Sequence, residues 1–223
     1  MNGAEYPDIS DINFSETQEF FQNLPMFDGV TYNMQAMNIT IIDQFITNYE
    51  YALLKEYFAR EKTPVDTAMF VSALSQMWVF ALYELLRTWR QRVRMILEAE
   101  QKGELDKLID LKKDEGLPNL STSSLAKDAK RIKEDKAFSE RTKASMETVD
   151  GLWRLVHSFR INLAKHEIPG EKNKFHHFPG YGRINGSCGA LDFEISQNKD
   201  HFRTLNRRDI AEMLRALKHA VKE

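Results

Sequence analysis

The sequence predicts a mainly α-helical bundle with long antiparallel helices and a small β-hairpin near its C-terminus. In the first half of the chain, apolar residues recur three and four positions apart, as on one face of a helix. The segment 64–102 contains no glycine or proline after its first residue, which favours one long helix. One segment near the C-terminus alternates apolar and polar residues, and it follows Asn185-Gly186, a dipeptide typical of a tight hairpin turn.

The N-terminal part of the chain is predicted to contain an arm and two helices. Residues 1–37 show no sustained period and are acidic and aromatic, so we expect an irregular arm with a short helix near 15–23. One apolar stripe predicts a helix over 38–61. Thr63-Pro64 then indicates the start of the 64–102 helix, because proline is favoured in a first turn. Its first half is apolar around most of its circumference, which favours a bundle centre or an oligomer interface.

The remaining elements complete one helical-bundle domain, which is predicted to span 38–223. The core helix among them ends where Pro169-Gly170 follows, and Asn206 caps the last helix. In order, these elements are a short polar helix over 104–115, an exposed charged helix over 125–148, a core helix over 149–167, the hairpin 181–195 and a C-terminal helix over 206–222.

The charge of the chain is nearly balanced but unevenly distributed. With 31 basic and 33 acidic residues, the net charge is −2, which excludes a polycation that coats nucleic acid. Residues 1–54 contain eight acidic residues and no Lys or Arg, so residues 55–223 carry 31 basic against 25 acidic ones, a charge of +6. A basic body with an acidic leader fits a protein that meets polyanions, although solvated faces are the commoner explanation of charge blocks.

The sequence predicts a cytoplasmic protein without a membrane partner. A single cysteine, Cys188, excludes an internal disulfide framework and a four-cysteine zinc site. The first residues lack the basic region of a signal peptide. The longest uncharged run, 67–83, has 17 residues and contains several polar ones, so it is short and polar for a membrane span.

The candidate chemistry lies near the end of the 149–167 helix, where polar residues interrupt an apolar segment. Asn162 and His166 are four apart and share a face, whereas Arg160 and His166 lie about 240° apart around the helix. A two-fold pair of such helices could bring two arginines and two histidines into one cleft. The last turn of a helix favours imidazolium, which suits acid–base chemistry. The structural alternative is that Lys-His-Glu is ordinary charge complementation at a helix end.

These residues resemble the motif of the HEPN superfamily, in which an arginine precedes a histidine by four to six residues and a polar residue often follows the arginine. Here they are Arg160, Asn162 and His166, with the asparagine one position later than in the commonest arrangement. In architecture, the resemblance covers the two long apolar helices, 64–102 and 149–167. The motif itself covers only about seven residues. It implies a HEPN-like helical bundle and a metal-independent endoribonuclease of the toxin or phage-defence type. It also implies a homodimer.

The resemblance implies a role for each motif residue. His166 would be the general acid–base as an RNA 2′-hydroxyl attacks the adjacent phosphate in a cleft between two copies. Arg160 would stabilise the charge of the transition state, and Asn162 would orient His166 or the phosphate. Lys165, Glu84 and Arg87 are expected to bind RNA or to support the motif. RNA or a nucleotide is the expected ligand, and an antitoxin or another protein partner stays open, since the tyrosine of the antitoxin-paired subset is absent after His166.

Two other functions stay open at this stage. A HEPN-like module that binds RNA, a nucleotide or a protein without catalysis fits the shifted asparagine and the acidic arm. A structural interaction protein fits the broad apolar surface of the 64–102 helix. We expect no cofactor and no metal, because His176 and His177 are adjacent and point in different directions. With Cys188 or Asp192 they form no defined zinc spacing.

Overall fold

The computed structural model describes residues 6–111, 120–165, 182–198 and 201–221. In these ranges the chain forms seven α-helices and three β-strands, which confirms the mainly helical class and the small C-terminal sheet. A short 3-10 helix, Ile9–Asp11, precedes them. The elements are α1 (Ser15–Asn23), α2 (Val30–Arg60), α3 (Val65–Lys102), α4 (Leu105–Asp110), α5 (Leu120–Glu134), α6 (Lys136–Lys165), β1 (Arg183–Ile184), β2 (Leu191–Asn198), β3 (His201–Leu205) and α7 (Arg207–Leu217).

Helix α3 is the central element of the bundle. It packs against α2 and α6, and its buried residues recur at helical spacing along its length. Two buried indoles of α3 donate hydrogen bonds to backbone carbonyls, Trp78 to Ile39 at 3.0 Å and Trp89 to Pro25 at 2.8 Å. The helix ends as predicted at Gly103, whose φ of 68° lies in the left-handed region that glycine adopts at low cost.

Three helix boundaries differ from the prediction, and one of them is the end of α7, at Leu217 and not at residue 222. Helix α2 begins at Val30, so the predicted end of the arm at residue 37 lies inside a helix. The pattern concealed this start, because Met34 and Met37 are exposed while the small Ala36 is buried. The predicted exposed helix 125–148 is divided between α5 and α6, and its predicted boundary with the core helix 149–167 lies inside α6. The break falls at Asp135, whose carboxylate accepts a hydrogen bond from the Phe138 backbone nitrogen at 3.0 Å and so caps α6.

The C-terminal sheet has one more strand than predicted and a longer turn. Strands β1, β2 and β3 are antiparallel in that order, and Ile184 pairs with Leu191. The predicted two-residue turn at Asn185-Gly186 is wrong, because the six residues 185–190 separate the paired strands. The Asn185 side chain instead accepts a hydrogen bond from the backbone nitrogen of Ser187 at 2.9 Å. The predicted capping of α7 by Asn206 is confirmed, with Asp209 completing a capping box.

The acidic N-terminal part of the chain is neutralised by basic residues of α7. Arg207 donates two hydrogen bonds to Glu50, at 2.8 and 2.6 Å, and a third to Asp43. Arg215 donates to Asp43 at 2.5 Å. All four side chains are at most 5% exposed, and we call them the buried ion cluster. Burial disfavours the charge of Arg207, but Glu50 and Asp43 outweigh that effect and raise its pKa, so Arg207 stays charged.

By length and composition alone, helix α3 is long and apolar enough to cross a membrane. Its most apolar window has a mean hydropathy of 1.4, and 44% of that window is buried inside the protein. The core helix of a soluble protein can have the same length and composition. This finding is weak evidence for a membrane span and is compatible with a soluble protein, and the cytoplasmic location stays a prediction.

Candidate nucleic-acid interface

Three nearly parallel aromatic rings lie where α3 and α6 pack together. Trp153 and His157 are four residues apart on α6, so their rings lie side by side, 5.5 Å between centroids. Tyr83 of α3 stacks on both, at 5.2 Å from Trp153 and 5.7 Å from His157. The interplanar angles of the three pairs lie between 19° and 25°. The result is a small aromatic platform built from two rigid helices.

Two arginines lie against this platform. The guanidinium carbon of Arg90, on α3, is 5.1 Å from the Trp153 ring centroid, and that of Arg160, on α6, is 5.0 Å from the Tyr83 ring centroid. Both distances are in the range of cation–π contacts. We call Tyr83, Arg90, Trp153, His157 and Arg160 the α3–α6 cluster. It places two positive charges beside stacked rings.

The hydrogen-bonding capacity of the α3–α6 cluster is only partly used. Arg90 is 3% exposed and donates to Asp150 at 2.9 Å, but its Nε and one Nη are buried without a hydrogen-bond partner. Burial therefore lowers the pKa of Arg90. Arg160 is partly exposed, and within the described ranges it forms no ion pair. Unsatisfied donors of this kind can bind an anionic ligand.

His157 is a neutral ring at physiological pH. Burial lowers the pKa of His157 below its ordinary value of 6.5, and the positive charge of Arg160 lowers it further. Its Nδ1 is buried without a hydrogen-bond partner. His157 is therefore an uncharged member of the aromatic platform under these conditions.

More arginines surround the α3–α6 cluster. Arg94 and Arg154 are exposed, and both lie close enough to Arg90 to act on its charge. Arg154 pairs with Asp150, and burial of that carboxyl is outweighed by hydrogen bonds from Arg154 and Arg90 that lower the pKa of Asp150. The surface is thus rich in arginine and aromatic side chains, a composition suited to nucleic acid.

The described part of the chain places four of the six predicted site residues. Arg160 lies in the α3–α6 cluster. Glu84 and Arg87 follow Tyr83 on the outer surface of α3 and pair with each other, with 2.8 Å between Nε and Oε2. Asn162 is fully buried, and its side-chain nitrogen donates to the Ser158 carbonyl oxygen at 2.8 Å. Asn162 thus lies inside the bundle and not on the surface that carries Arg160.

The other predicted residues lie outside the described structure. His166 is not among the described residues, and the side chain of Lys165 is not described either. His176 and His177 also lie outside the described ranges. Their predicted roles stay predictions.

No metal site is found in the ranges that the structure describes, where no three His, Cys, Asp or Glu side chains come together as ligands. Cys188 is buried, and burial raises the pKa of its thiol to about 12. A neutral, buried thiol is a poor metal ligand and a poor nucleophile.

The aromatic platform and Arg90 were not predicted from the sequence. The spacing of Trp153 and His157 was a usable signal, because residues four apart on a helix share a face. Tyr83 and Arg90 are seven apart on α3 and share a face for the same reason. The packing of α3 on α6, which brings the two pairs together, is not encoded in either local pattern.

Comparisons with known proteins give no further identification. No family model matches this chain, and neither a curated protein nor a solved structure matches it.

Proposed function

We propose that the chain binds single-stranded RNA at the α3–α6 cluster and cleaves it as a HEPN-like, metal-independent endoribonuclease. The observation that carries the proposal is the platform of Tyr83, Trp153 and His157, with Arg90 and Arg160 against it. Proteins that bind single-stranded nucleic acids combine stacking rings with a positively charged path for the backbone.

Arg160 is the phosphate ligand in this proposal. It is partly exposed and free of a carboxylate partner in the described structure, so its guanidinium can bind a phosphate without first breaking an ion pair. A guanidinium matches the geometry of two phosphate oxygens. Its contact with Tyr83 holds one face of the group, while its N–H groups lie in its plane.

The proposed reaction uses the RNA as its own nucleophile. His166 takes the proton of a 2′-hydroxyl, and that oxygen attacks the adjacent phosphorus. The bond between phosphorus and the 5′-oxygen then breaks, and the leaving oxygen receives a proton from an imidazolium or from water. The products are a 2′,3′-cyclic phosphate and a 5′-hydroxyl. Arg160 stabilises the extra negative charge on phosphorus oxygens during the attack.

A second candidate is RNA binding without cleavage. It is favoured by Asn162, which is buried and hydrogen-bonded to its own helix and so does not reach a phosphate on the surface. In this case the α3–α6 cluster is a binding surface, and Asn162 contributes to the packing of α6.

The binding step is tested by fluorescence anisotropy with a labelled single-stranded RNA pool. We expect Arg160→Ala to weaken binding about tenfold, since one phosphate contact and one ordered stacking site are lost. Arg183→Ala is the matched control, because Arg183 is an exposed arginine on β1 and its loss should change the affinity less than about twofold. Equal affinities of all three proteins would contradict the proposed surface.

The cleavage step is tested separately, with labelled RNA in excess EDTA. The wild-type protein should produce 2′,3′-cyclic phosphate ends, His166→Ala should not, and the exposed His219→Ala should behave as wild type. RNA with 2′-O-methyl groups should be bound and left intact. Binding by the wild-type protein without any cleavage would reject the nuclease and support the second candidate.

A further inference from the structure

A broad apolar surface covers one side of the α2–α3 pair. Three of its rings form a contact series across the two helices, with centroids 4.8 Å apart for Phe45 and Tyr49 and 5.1 Å apart for Tyr49 and Phe70. A groove of about 390 Å³ continues the surface between the helices, where Ile42 and Met77 line it. We call it the α2–α3 face, and its exposed members are Met34, Ile41, Ile42, Phe45, Tyr49, Phe70 and Met77.

The α2–α3 face carries little exposed charge, and Glu84, which lines one end of its groove, pairs with Arg87. In α2, the only charged residues from Val30 to Glu50 are Asp43 and Glu50, and both are 0% exposed in the buried ion cluster. In α3, the segment 67–83 contains no charged residue. A partner recognised through charge would find only Glu84, whose carboxylate is already paired with Arg87. A second copy would meet the face without like-charge repulsion.

The spacing of the apolar residues suits helix packing. On α2 the residues Ile42, Phe45 and Tyr49 are three and four apart, and on α3 Phe70 and Met77 are seven apart. These are the spacings at which side chains of one helix pair interdigitate with those of another. Two antiparallel pairs that meet on such faces form a four-helix bundle.

The area of the face fits a stable dimer. Its seven exposed members keep between 37% and 66% of their surface exposed. With about 150–250 Å² per large side chain, this leaves roughly 500–850 Å² of exposed surface, a range that includes the ~800 Å² that each partner contributes to a standard interface. An exposed apolar patch of this size is at or above the upper end of the ordinary range for a monomer, and patches of this kind mark interaction sites.

We propose that the α2–α3 face is a self-association surface, on which a second copy of this chain packs about a two-fold axis. The face and the α3–α6 cluster use different sides of α3, since Met77 and Tyr83 lie about 120° apart around the helix. A dimer of this kind leaves the RNA surface of each copy open. It therefore differs from the cleft implied by the HEPN resemblance, in which the two motifs face each other, and it does not depend on the proposed nuclease activity.

Sedimentation velocity of the full chain tests the proposal over a range of concentrations. The wild-type protein should be a dimer at micromolar concentration, and Met77→Glu should raise the dimer dissociation constant about 30-fold or more. Met95→Glu is the matched control, because Met95 is exposed on the same helix about 27 Å further along its axis and should leave the dimer intact. Circular dichroism spectra at low temperature should show the same helix content for both variants, which excludes unfolding as the cause of dissociation.

A cross-link provides a second measurement that does not rely on a destabilising charge. The chain has one cysteine, Cys188, and it is buried, so a new surface thiol reacts alone. Oxidised Phe45→Cys should form a covalent dimer, whereas Met95→Cys should not. The proposal would be overturned if the wild-type protein were a monomer at 100 μM, about a hundred times the expected dimer dissociation constant. It would also be overturned if both cysteine variants cross-linked equally, or if the wild-type protein bound neutral lipid vesicles through Met77. RNA binding by the Met77→Glu monomer tests the α3–α6 cluster independently.

Discussion

The buried ion cluster and the α3–α6 cluster both contain arginines beside aromatic rings, but they differ in how many arginine donors are hydrogen-bonded. Each places arginine against an aromatic ring, since Arg207 lies 5.4 Å from the Trp78 ring and Arg160 lies 5.0 Å from the Tyr83 ring. In the buried ion cluster, the guanidinium of Arg207 is bound by Glu50, Asp43 and the hydroxyl of Thr47. In the α3–α6 cluster, Arg90 retains two donors without partners.

The difference separates a structural role from a binding role. A buried charge whose donors are all bound has no capacity left for a ligand, and it links the elements that carry its partners. A buried charge with unused donors beside partly buried rings is costly to the fold, and its donors have capacity left for an anion that reaches them. The comparison predicts large stability effects in the first cluster and binding effects in the second.

The largest expected effect is that of Arg207→Met. It leaves Asp43 and Glu50 buried with less compensation, and we expect a loss of about 3–5 kcal/mol in the free energy of unfolding. Arg60→Met removes a surface pair with Glu56 and should cost less than about 1 kcal/mol. Urea unfolding followed by circular dichroism measures both. A small loss for Arg207→Met would mean that the buried cluster is not structural.

The next largest effect on the free energy of unfolding is expected in the loop 185–190, which lies against α2. Gly189 has a φ of 76°, and a Cβ at this position would lie 1.9 Å from the Glu50 carbonyl oxygen. We therefore expect Gly189→Ala to lower the free energy of unfolding by about 2 kcal/mol or more. At Gly186 an added Cβ meets nothing within 4 Å, so Gly186→Ala is the matched control. Equal unfolding midpoints for the two variants would show that the loop can move away from α2.

Substitution of a platform ring should affect binding more than stability. We expect Trp153→Leu to weaken single-stranded RNA binding about fivefold to tenfold, because a base loses a stacking partner. Trp153→Phe keeps an aromatic face and should restore most of the affinity. Anisotropy titrations measure the RNA affinity of both variants, and thermal melts measure their stability. Similar losses for Leu and Phe would indicate that bases do not stack on this ring.

The smallest expected effect is a pH dependence that originates in His157. Because its pKa is lowered from 6.5 in the folded protein, the unfolded chain binds more protons between that lower pKa and pH 6.5. The contribution of the neutral ring to stability is complete above pH 6.5 and is lost as the pH falls through the folded pKa. Urea unfolding from pH 8 to pH 5 should therefore show a steeper decline for the wild-type protein than for His157→Phe. Parallel curves would place His157 in a more solvated environment.

Part of the fold could be predicted because its signals are local. The bounds of α3 follow from an unbroken segment between Pro64 and Gly103, and the capping box of α7 from Asn206 and Asp209. The start of α2 could not be predicted, since exposed methionines and a buried alanine give it no apolar stripe. Strand β3 was missed because it is five residues long and pairs with β2 in a register that only the sheet defines.

The candidate site, like the fold, could be predicted only in part. Arg160 was identified from its place in the motif, but the ring it contacts lies 77 positions earlier in the chain, on another helix. Asn162 was chosen from the same spacing, and the structure places it inside the bundle, because helical spacing defines a shared face without defining which face is buried.

By itself, the sequence determined which segments are helical, where several of them end and which residue types are available for chemistry, because capping, periodicity and helix breaking act within a few residues. The tertiary structure decided which charges are satisfied. It buried Asp43 and Glu50 against α7, and it left Arg90 and Arg160 beside an aromatic platform. Those outcomes depend on helix packing between residues far apart in the chain, where burial and hydrogen-bond satisfaction are set by neighbours that no local pattern specifies.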